Sequence, residues 1–220
     1  MAKSNRSSNQ PLLDFDNVAT FPEGFHYIPG YFDAAAQKAL LVVIRDVLTE
    51  APLFTQAMPR TGAPLSVRMS NTGAYGWVTD RDGGYRYQPT HPQTGLPWPA
   101  IPQQLLDLWA DVTQEVGPPN QCLINYYDRE ARLGLHQDKG DDSLAAPVVS
   151  VSLGDDATFL IGGMTRKDRQ QAITLKSGDV VWFGGPSRLI YHGIEGIFPG
   201  TSNLLPEGGR INLTIRRIDR

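Results

Sequence analysis

Thiol chemistry is all but absent from this chain, which has one cysteine, Cys122, among 220 residues. A lone thiol excludes an intramolecular disulfide framework and any zinc centre built on several thiolates. Its place in an apolar run reads as a packed small hydrophobe. Long apolar runs are missing too: nothing approaches the roughly 18 to 20 consecutive apolar residues that span a bilayer. Met1 to Gln10 is polar and lacks the apolar centre of a signal peptide, so the expectation is a cytoplasmic protein without membrane association. Excess positive charge is also lacking. With a net charge of -3, any grip on a nucleic-acid backbone has to come from a local basic patch rather than the overall field. No internal repeat or low-complexity tract occurs. The glycine pairs Gly162-Gly163 and Gly184-Gly185 are not followed by the lysine and serine or threonine of a phosphate-binding loop, and they read as turns.

What is present suits one compact unit, since a chain 40% hydrophobic and 20% charged can bury a substantial core. Residues 1–20 lack periodicity and are expected to form a flexible arm. A helix follows, capped by Asp33, with Ala36, Leu40, Val43, Ile44, Val47 and Leu48 along one face and Ala51-Pro52 as its stop. From Phe54 to Pro102 glycine, proline and aromatic residues crowd together, as in short strands and long surface loops. A second amphipathic helix starts after Pro102, with Leu105, Leu108, Trp109, Val112 and Val116 on one face and Gly117-Pro118 beyond. The remainder reads as short strands at Gln121 to Tyr127, Val148 to Leu153, Ala157 to Ile161, Ala172 to Leu175, Val180 to Phe183 and Arg210 to Ile215. Such a series without helical interruption implies a sandwich, barrel or jelly roll. Residues 21–118 are expected to carry the helices and a recognition lid, and 119–220 the β core, as one unit.

The most informative local feature is His136-Gln137-Asp138 with His192 far downstream. In an extended segment residues two apart share a face, so His136 and Asp138 can converge on one ion. His192, on a later strand, can supply a third ligand. Two histidines and a carboxylate on one side of iron(II) leave positions open for a cosubstrate and dioxygen. Alone, the His-X-Asp tripeptide is more often a surface pair. The tail adds weight: Ile211, Leu213 and Ile215 alternate with Arg210, Asn212, Thr214 and Arg216, so one strand face is oily and the other carries two guanidinium groups. Paired, charge-assisted hydrogen bonds from arginine suit a dicarboxylate such as 2-oxoglutarate, although an edge strand with solvated arginines has the same pattern. Asn125 and Tyr127 share a face and can hydrogen-bond a carboxylate, or simply pack and cap. Arg166, Lys167 and Arg169 form a basic cluster that is either a solvated surface or, with Lys139, a phosphate contact. His26 and His91 have no partner at ligand spacing and read as structural.

In order and spacing, six stretches resemble the AlkB family of iron(II)- and 2-oxoglutarate-dependent dioxygenases. They are Cys122 to Tyr127, His136 to Lys139, Ala146 to Gly154, Gly178 to Gly185, Ser187 to Ile194 and Arg210 to Arg216. The segment Ser70 to Pro102, with Trp77, Tyr85, Tyr87 and Trp98, resembles the family's nucleotide-recognition region. The resemblance implies a mainly β protein, a double-stranded β-helix (jelly-roll) core with an N-terminal α+β nucleotide-recognition extension. It implies iron(II) on His136, Asp138 and His192, with 2-oxoglutarate and dioxygen as cosubstrates. It places Asn125, Tyr127, Ser150, Arg210, Asn212 and Arg216 around 2-oxoglutarate, with Arg216 also beside Asp138. Trp77, Tyr85 and His136 would sandwich a flipped base, and Arg166 would sit at the mouth. The implied activity is oxidative demethylation of N-alkylated bases, such as 1-methyladenine and 3-methylcytosine, in alkylation repair. Formaldehyde, carbon dioxide and succinate are the products, and the partner is methylated DNA or RNA, single-stranded, met by a monomer. Where bacterial repair members often have an acidic residue two positions after the iron aspartate, this chain has Gly140. It also has an extra residue between Trp77 and Tyr85 and a longer segment from Pro199 to Gly209. Two other readings remain at this stage: the same chemistry directed at a protein or small metabolite, and a non-catalytic ligand-binding jelly roll.

Overall fold

A computed structural model describes residues 20–113, 117–139 and 144–219. Thus the expected arm, apart from Thr20, and both Val116 and Gly140 lie outside the described residues. Helix α1 spans Ala34–Glu50, and the Asp33 carboxylate accepts hydrogen bonds from the amides of Ala35 and Ala36, the capping that its position suggested. Helix α2, Gln103–Val112, closes at Thr113, whose amide donates to the Trp109 carbonyl. Leu40, Leu41, Ile44 and Val47 of α1 and Leu105, Leu108 and Trp109 of α2 are buried against one face of a large sheet.

That sheet has seven strands. In chain order they are β1 (Phe25–Ile28), β2 (Phe54–Ala57), β3 (Pro64–Gly73), β6 (Gln121–Tyr127), β8 (Val148–Gly154), β11 (Val180–Phe183) and β13 (Arg210–Arg216). Between β3 and β6 the chain forms a separate hairpin of β4 (Gly76–Asp80) and β5 (Gly84–Gln88). A smaller sheet contains β7 (Leu133–His136), β9 (Asp156–Ile161), β10 (Gln171–Leu175) and β12 (His192–Phe198). The spatial orders are β1-β11-β8-β13-β6-β3-β2 and β10-β9-β12-β7. Two antiparallel sheets face each other, the layering of a jelly roll. Residues before 118 contribute three strands to the large sheet, β1 pairing with β11 and β3 with β6.

Side-chain parity divides the interior. Cys122 and Ile124 of β6, Val149, Val151 and Leu153 of β8, and Ile211, Leu213 and Ile215 of β13 pack toward the helices. The alternate residues Leu123, Tyr127 and Val148 join Phe159, Ile161, Phe183 and Ile194 between the sheets. Each fully buried aliphatic side chain contributes about 1.5 to 3 kcal/mol, which fixes the register, because a one-residue slip would exchange the two faces. β13 is not an edge strand with solvated arginines: it lies between β8 and β6, and all seven of its residues are buried. The segment before it is tied at its base by one buried carboxylate, since Asp155 accepts from the amides of Gly200, Ser202 and Gly209.

Candidate active site

Strand pairing, more than sequence spacing, assembles the titratable cluster. β12 runs antiparallel to β7 with His192 directly opposite His136, and the two rings lie 4.5 Å apart between centroids. Such close approach needs glycine at 193, where a Cβ would stand 2.6 Å from the Leu133 carbonyl oxygen. Asp138 follows β7 and completes a set whose ligand atoms all lie within 4.8 Å of one another. The His136 Nε2 is 3.6 Å from Asp138 Oδ1, and the His192 Nε2 is 4.0 Å from Asp138 Oδ2.

Each imidazole is oriented from behind. His136 Nδ1 lies 2.9 Å from the Gly134 carbonyl and His192 Nδ1 lies 3.2 Å from the Ile190 carbonyl. A carbonyl can only accept, so Nδ1 carries the proton and Nε2 turns its lone pair toward the shared point, as metal ligands require. Burial, followed by the neighbouring His136, pushes the His192 pKa down to about 4 against the pull of Asp138, so the ring is neutral near pH 7. Burial opposes ionisation of Asp138 as well. There the Arg216 guanidinium, helped by both histidines, outweighs burial and holds the carboxyl far below the usual carboxylate range. Arg216 donates from Nε and Nη2 to Asp138 Oδ2 at 3.1 and 2.7 Å, which leaves Oδ1 facing His136.

Beside this cluster a narrow cleft opens between the sheets, lined by Asn125, Tyr127, Ser150, Arg210, Asn212 and Thr214 as well as the cluster itself. β13 sets its floor: Asn212 is opposite Asn125 on β6 and Ser152 on β8. Asn212 accepts from Asn125 Nδ2 at 3.2 Å and from Thr214 Oγ1 at 2.8 Å, and it donates to Ser150 Oγ at 2.6 Å. Arg210 is completely buried. It gives one hydrogen bond, from Nη2 to Ser152 Oγ at 2.9 Å, and its carbon Cζ lies 5.4 Å from the centre of the Tyr127 ring.

The remaining donors of Arg210, Nε and Nη1, and the acceptor Asn125 Oδ1 have no partner among the described residues. A buried guanidinium short of acceptors is costly unless an anion meets it. The cleft's one carboxylate among the described residues, Asp138, is already engaged by Arg216. The donors therefore fit a bound dicarboxylate, one end at Arg210 and the other near the His136, Asp138 and His192 atoms. Those two nitrogens and one oxygen fit a divalent ion of intermediate hardness such as iron(II).

All nine residues assigned from sequence to metal and cosubstrate come together here. The residues assigned to the base are placed differently. Trp77 and Tyr85 do not flank a gap: their rings stack on each other with centroids 5.8 Å apart, too close to admit a base between them. They form a single wall, on which Trp77 is half-buried against the apolar layer between the sheets while Tyr85 is exposed. The Arg166 guanidinium lies over the ring of Tyr191, next to His192, at 5.3 Å. His91 is structural: its Nε2 meets the Pro52 carbonyl and its Nδ1 accepts from the amides of Gln93 and Thr94. His26 stacks on Trp182, and the buried Cys122 thiol has its pKa pushed up to about 12 by burial. Sequence reasoning gave no role to Ser152 or Thr214, although strand alternation puts them on the same face as Ser150 and Asn212. It also missed Arg188, which is buried and donates to the carbonyls of Ala146 and Asp138 at 2.8 and 2.6 Å, and Gln137, which donates to the Leu189 carbonyl. These two residues tie the strand exit bearing Asp138 to the segment leading into His192.

Comparison with known proteins bears on the same stretch of chain. Residues 24–216 match the family described as the 2OG-Fe(II) oxygenase superfamily. The chain is 47% identical over 198 residues to an alpha-ketoglutarate-dependent dioxygenase AlkB homolog of Caulobacter vibrioides, covering 90% of this chain and 89% of that protein. It is 45% identical over 190 residues to the alpha-ketoglutarate-dependent dioxygenase AlkB of Escherichia coli K12, covering 84% and 86%. The solved structure of OsALKBH1 superposes with a TM-score of 0.75 at 31% identity, covering 90% of this chain and all of that one.

Proposed function

The chain belongs to the 2OG-Fe(II) oxygenase superfamily and to the AlkB family within it, and from that premise we propose which residues perform its iron(II)- and 2-oxoglutarate-dependent demethylation of N-alkylated nucleic-acid bases. His136, Asp138 and His192 hold the metal. Arg210 grips the distal carboxylate of 2-oxoglutarate, while Asn125, Tyr127, Ser150 and Asn212 line its path toward the metal. When bound, iron(II) with 2-oxoglutarate and dioxygen supplies the oxidising power that hydroxylates the methyl group, giving carbon dioxide and succinate, after which formaldehyde leaves the base.

The protein's own contribution is orientation and charge. The carbonyls of Gly134 and Ile190 keep both histidines in the ligand tautomer. Arg216 keeps Asp138 ionised and points one of its oxygens at the metal position. Phe159, Phe183 and Ile194 line the cleft with apolar surface, excluding water and strengthening the charge interactions within. At the mouth, the wall of Trp77 and Tyr85 presents an aromatic face, which attracts the positive charge of a base alkylated on a ring nitrogen. His136, part-exposed on the opposite side, gives the extruded base its second surface. Arg166 meets a phosphate beside it.

The observation that carries this reading is the pairing of the His136, Asp138 and His192 set with a buried Arg210 whose Nε and Nη1 donors lack partners among the described residues. A single-stranded substrate fits a mouth walled by one exposed ring, since no partner strand has to be displaced before the base enters. A monomeric cytoplasmic enzyme completes the proposal, and no helix among the described residues is long and apolar enough to cross a membrane. The decisive assay incubates the protein with methylated single-stranded oligonucleotide, iron(II), ascorbate and 2-oxoglutarate, reading base composition by mass spectrometry. Conversion of 1-methyladenine or 3-methylcytosine is expected. Turnover of 2-oxoglutarate with no methylated base consumed in DNA or RNA would redirect the site to a protein or metabolite substrate.

A further inference from the structure

The hairpin that carries Trp77 and Tyr85 is fastened to the large sheet in an unusual way. Among the described residues β4 has a strand neighbour on one side only, β5. In an antiparallel pair alternate residues turn their amide and carbonyl groups away from the partner, and on β4 those groups belong to Trp77 and Thr79. They point toward β2 and β3, a region closed to water, where an unpaired amide or carbonyl is costly. β3 gives them no strand partner: it pairs with β2 and β6 and not with β4.

Side-chain amides take the place of the missing strand. Asn71, on β3, accepts from the Trp77 amide at 3.0 Å and donates to the Trp77 carbonyl at 3.2 Å. Gln56, on β2, accepts from the Thr79 amide at 2.5 Å and donates to the Trp77 carbonyl at 3.4 Å. Gln121, on β6, donates to Asn71 Oδ1 at 3.0 Å, which fixes the orientation of the Asn71 amide, since only its oxygen can accept. Asn71 and Gln121 are fully buried and Gln56 nearly so.

We propose that Asn71, backed by Gln121 and helped by Gln56, is a positioning residue for base recognition: by holding both backbone groups of Trp77 it sets the plane of the indole wall. Holding the amide and carbonyl of one residue fixes the backbone on both sides of its Cα, and with it the direction of the Cα–Cβ bond. Without the clamp the outer edge of β4 would shift toward water to satisfy its groups, and the indole would move with it. Arg210 and Asn212 make no hydrogen bond to Asn71, Gln56 or Gln121 among the described residues, and their places are set by the β6, β13 and β8 ladders. The inference rests on the proposal that Trp77 walls the base.

The test is a double-mutant cycle of Asn71→Ala and Trp77→Ala, with Gln56→Ala in parallel. Two constants are measured for each variant: the oligonucleotide KM, with a single strand bearing 1-methyladenine, and the cosubstrate KM, from 2-oxoglutarate turnover without nucleic acid. Asn71→Ala is expected to raise the oligonucleotide KM about tenfold, and the pair with Trp77→Ala to be no worse than Trp77→Ala alone, the non-additivity of residues acting through one another. The cosubstrate KM is expected to stay at the wild-type value in Asn71→Ala. Gln56→Ala removes a weaker part of the clamp, so it should give a smaller rise with the same non-additivity, and it decides the matter if Asn71→Ala does not fold. A raised oligonucleotide KM in Trp77→Ala that multiplies with the rise in Asn71→Ala overturns this inference alone, as does a matching rise in the cosubstrate KM in Asn71→Ala. An unchanged oligonucleotide KM in Trp77→Ala overturns the base-wall reading and this inference with it.

Discussion

Arg210 on the cleft floor and Trp77 on the recognition hairpin are both held still, but by different means. β13 has a strand on either side, and register places every second residue in the cleft. β4 has a strand on one side and borrows side-chain amides for the other. Ladder bonds repeat along a strand, so losing one side chain leaves the neighbours in place. A side-chain clamp has no such redundancy. The floor is therefore the rigid part of the site, which suits a cosubstrate that never varies. The wall can be retuned by changing a few amides, which suits a surface that must discriminate among bases.

The comparison breaks first at the metal cluster, where the largest effects are expected. His136→Ala and Asp138→Ala should each abolish succinate release, yet differ in stability. Asp138 is buried and ion-paired with Arg216, and removing one partner of such a pair costs about 3 to 5 kcal/mol. The part-exposed His136 should give a melting temperature close to wild type. Equal melting temperatures in the two variants would remove the Asp138–Arg216 pair from the structural account.

Next in size, Arg210→Ala should raise the cosubstrate KM, since truncating one partner of a desolvated charged contact costs about 2 to 5 kcal/mol. Arg217→Ala is the control. Its side chain leaves the cleft to meet the Pro118 carbonyl and Asp219, so steady-state kinetics should show that constant unchanged. Comparable losses from both would mean that the alternation along β13 does not select the binding face.

On the hairpin the expected losses are smaller. Trp77→Ala and Tyr85→Ala should each weaken binding of the methylated oligonucleotide by about 1 to 3 kcal/mol, the range for removing one stacking surface, as read from fluorescence anisotropy. Because the two rings stack on each other, the second loss should be partly absorbed by the first. Smallest of all, Arg166→Ala should flatten the salt dependence of oligonucleotide affinity by about one unit of slope if it meets one phosphate. An unchanged slope would leave Arg166 as no more than a partner for the Tyr191 ring.

The same contrast explains what could be read from the sequence. β6, β8, β11 and β13 were legible because period-two alternation and β-branched residues mark strands buried on both sides. The residues facing the cleft followed from that parity, and so did the metal cluster once His192 was placed on a strand. β1, β2 and β7 escaped because, unlike the equally short β11 with its paired valines, they are partly exposed and carry too few β-branched residues to stand out. The run of β12 beyond His192 escaped because Gly193, Gly196 and two shifts of register interrupt its alternation. That β13 is central rather than marginal depends on β8 and β6 arriving from distant parts of the chain, which no local pattern announces. The stacking of Tyr85 on Trp77 and the amide clamp were illegible for a related reason. An asparagine bonding a backbone six residues on, and a glutamine bonding one more than twenty residues away, leave no trace in hydrophobic periodicity.

Asp155, which gathers the amides of Gly200, Ser202 and Gly209, has a practical consequence for anyone wishing to watch the enzyme at work. By pinching the base of that excursion it separates the exposed tip, Pro206 and Glu207, from Arg210, which follows Gly209 directly. Lengthening a loop whose ends are already held together adds little entropic cost. A short tag or fluorescent peptide grafted between Pro206 and Glu207 would thus ride close to the cosubstrate cleft without disturbing it, giving a handle for single-molecule or immobilised assays.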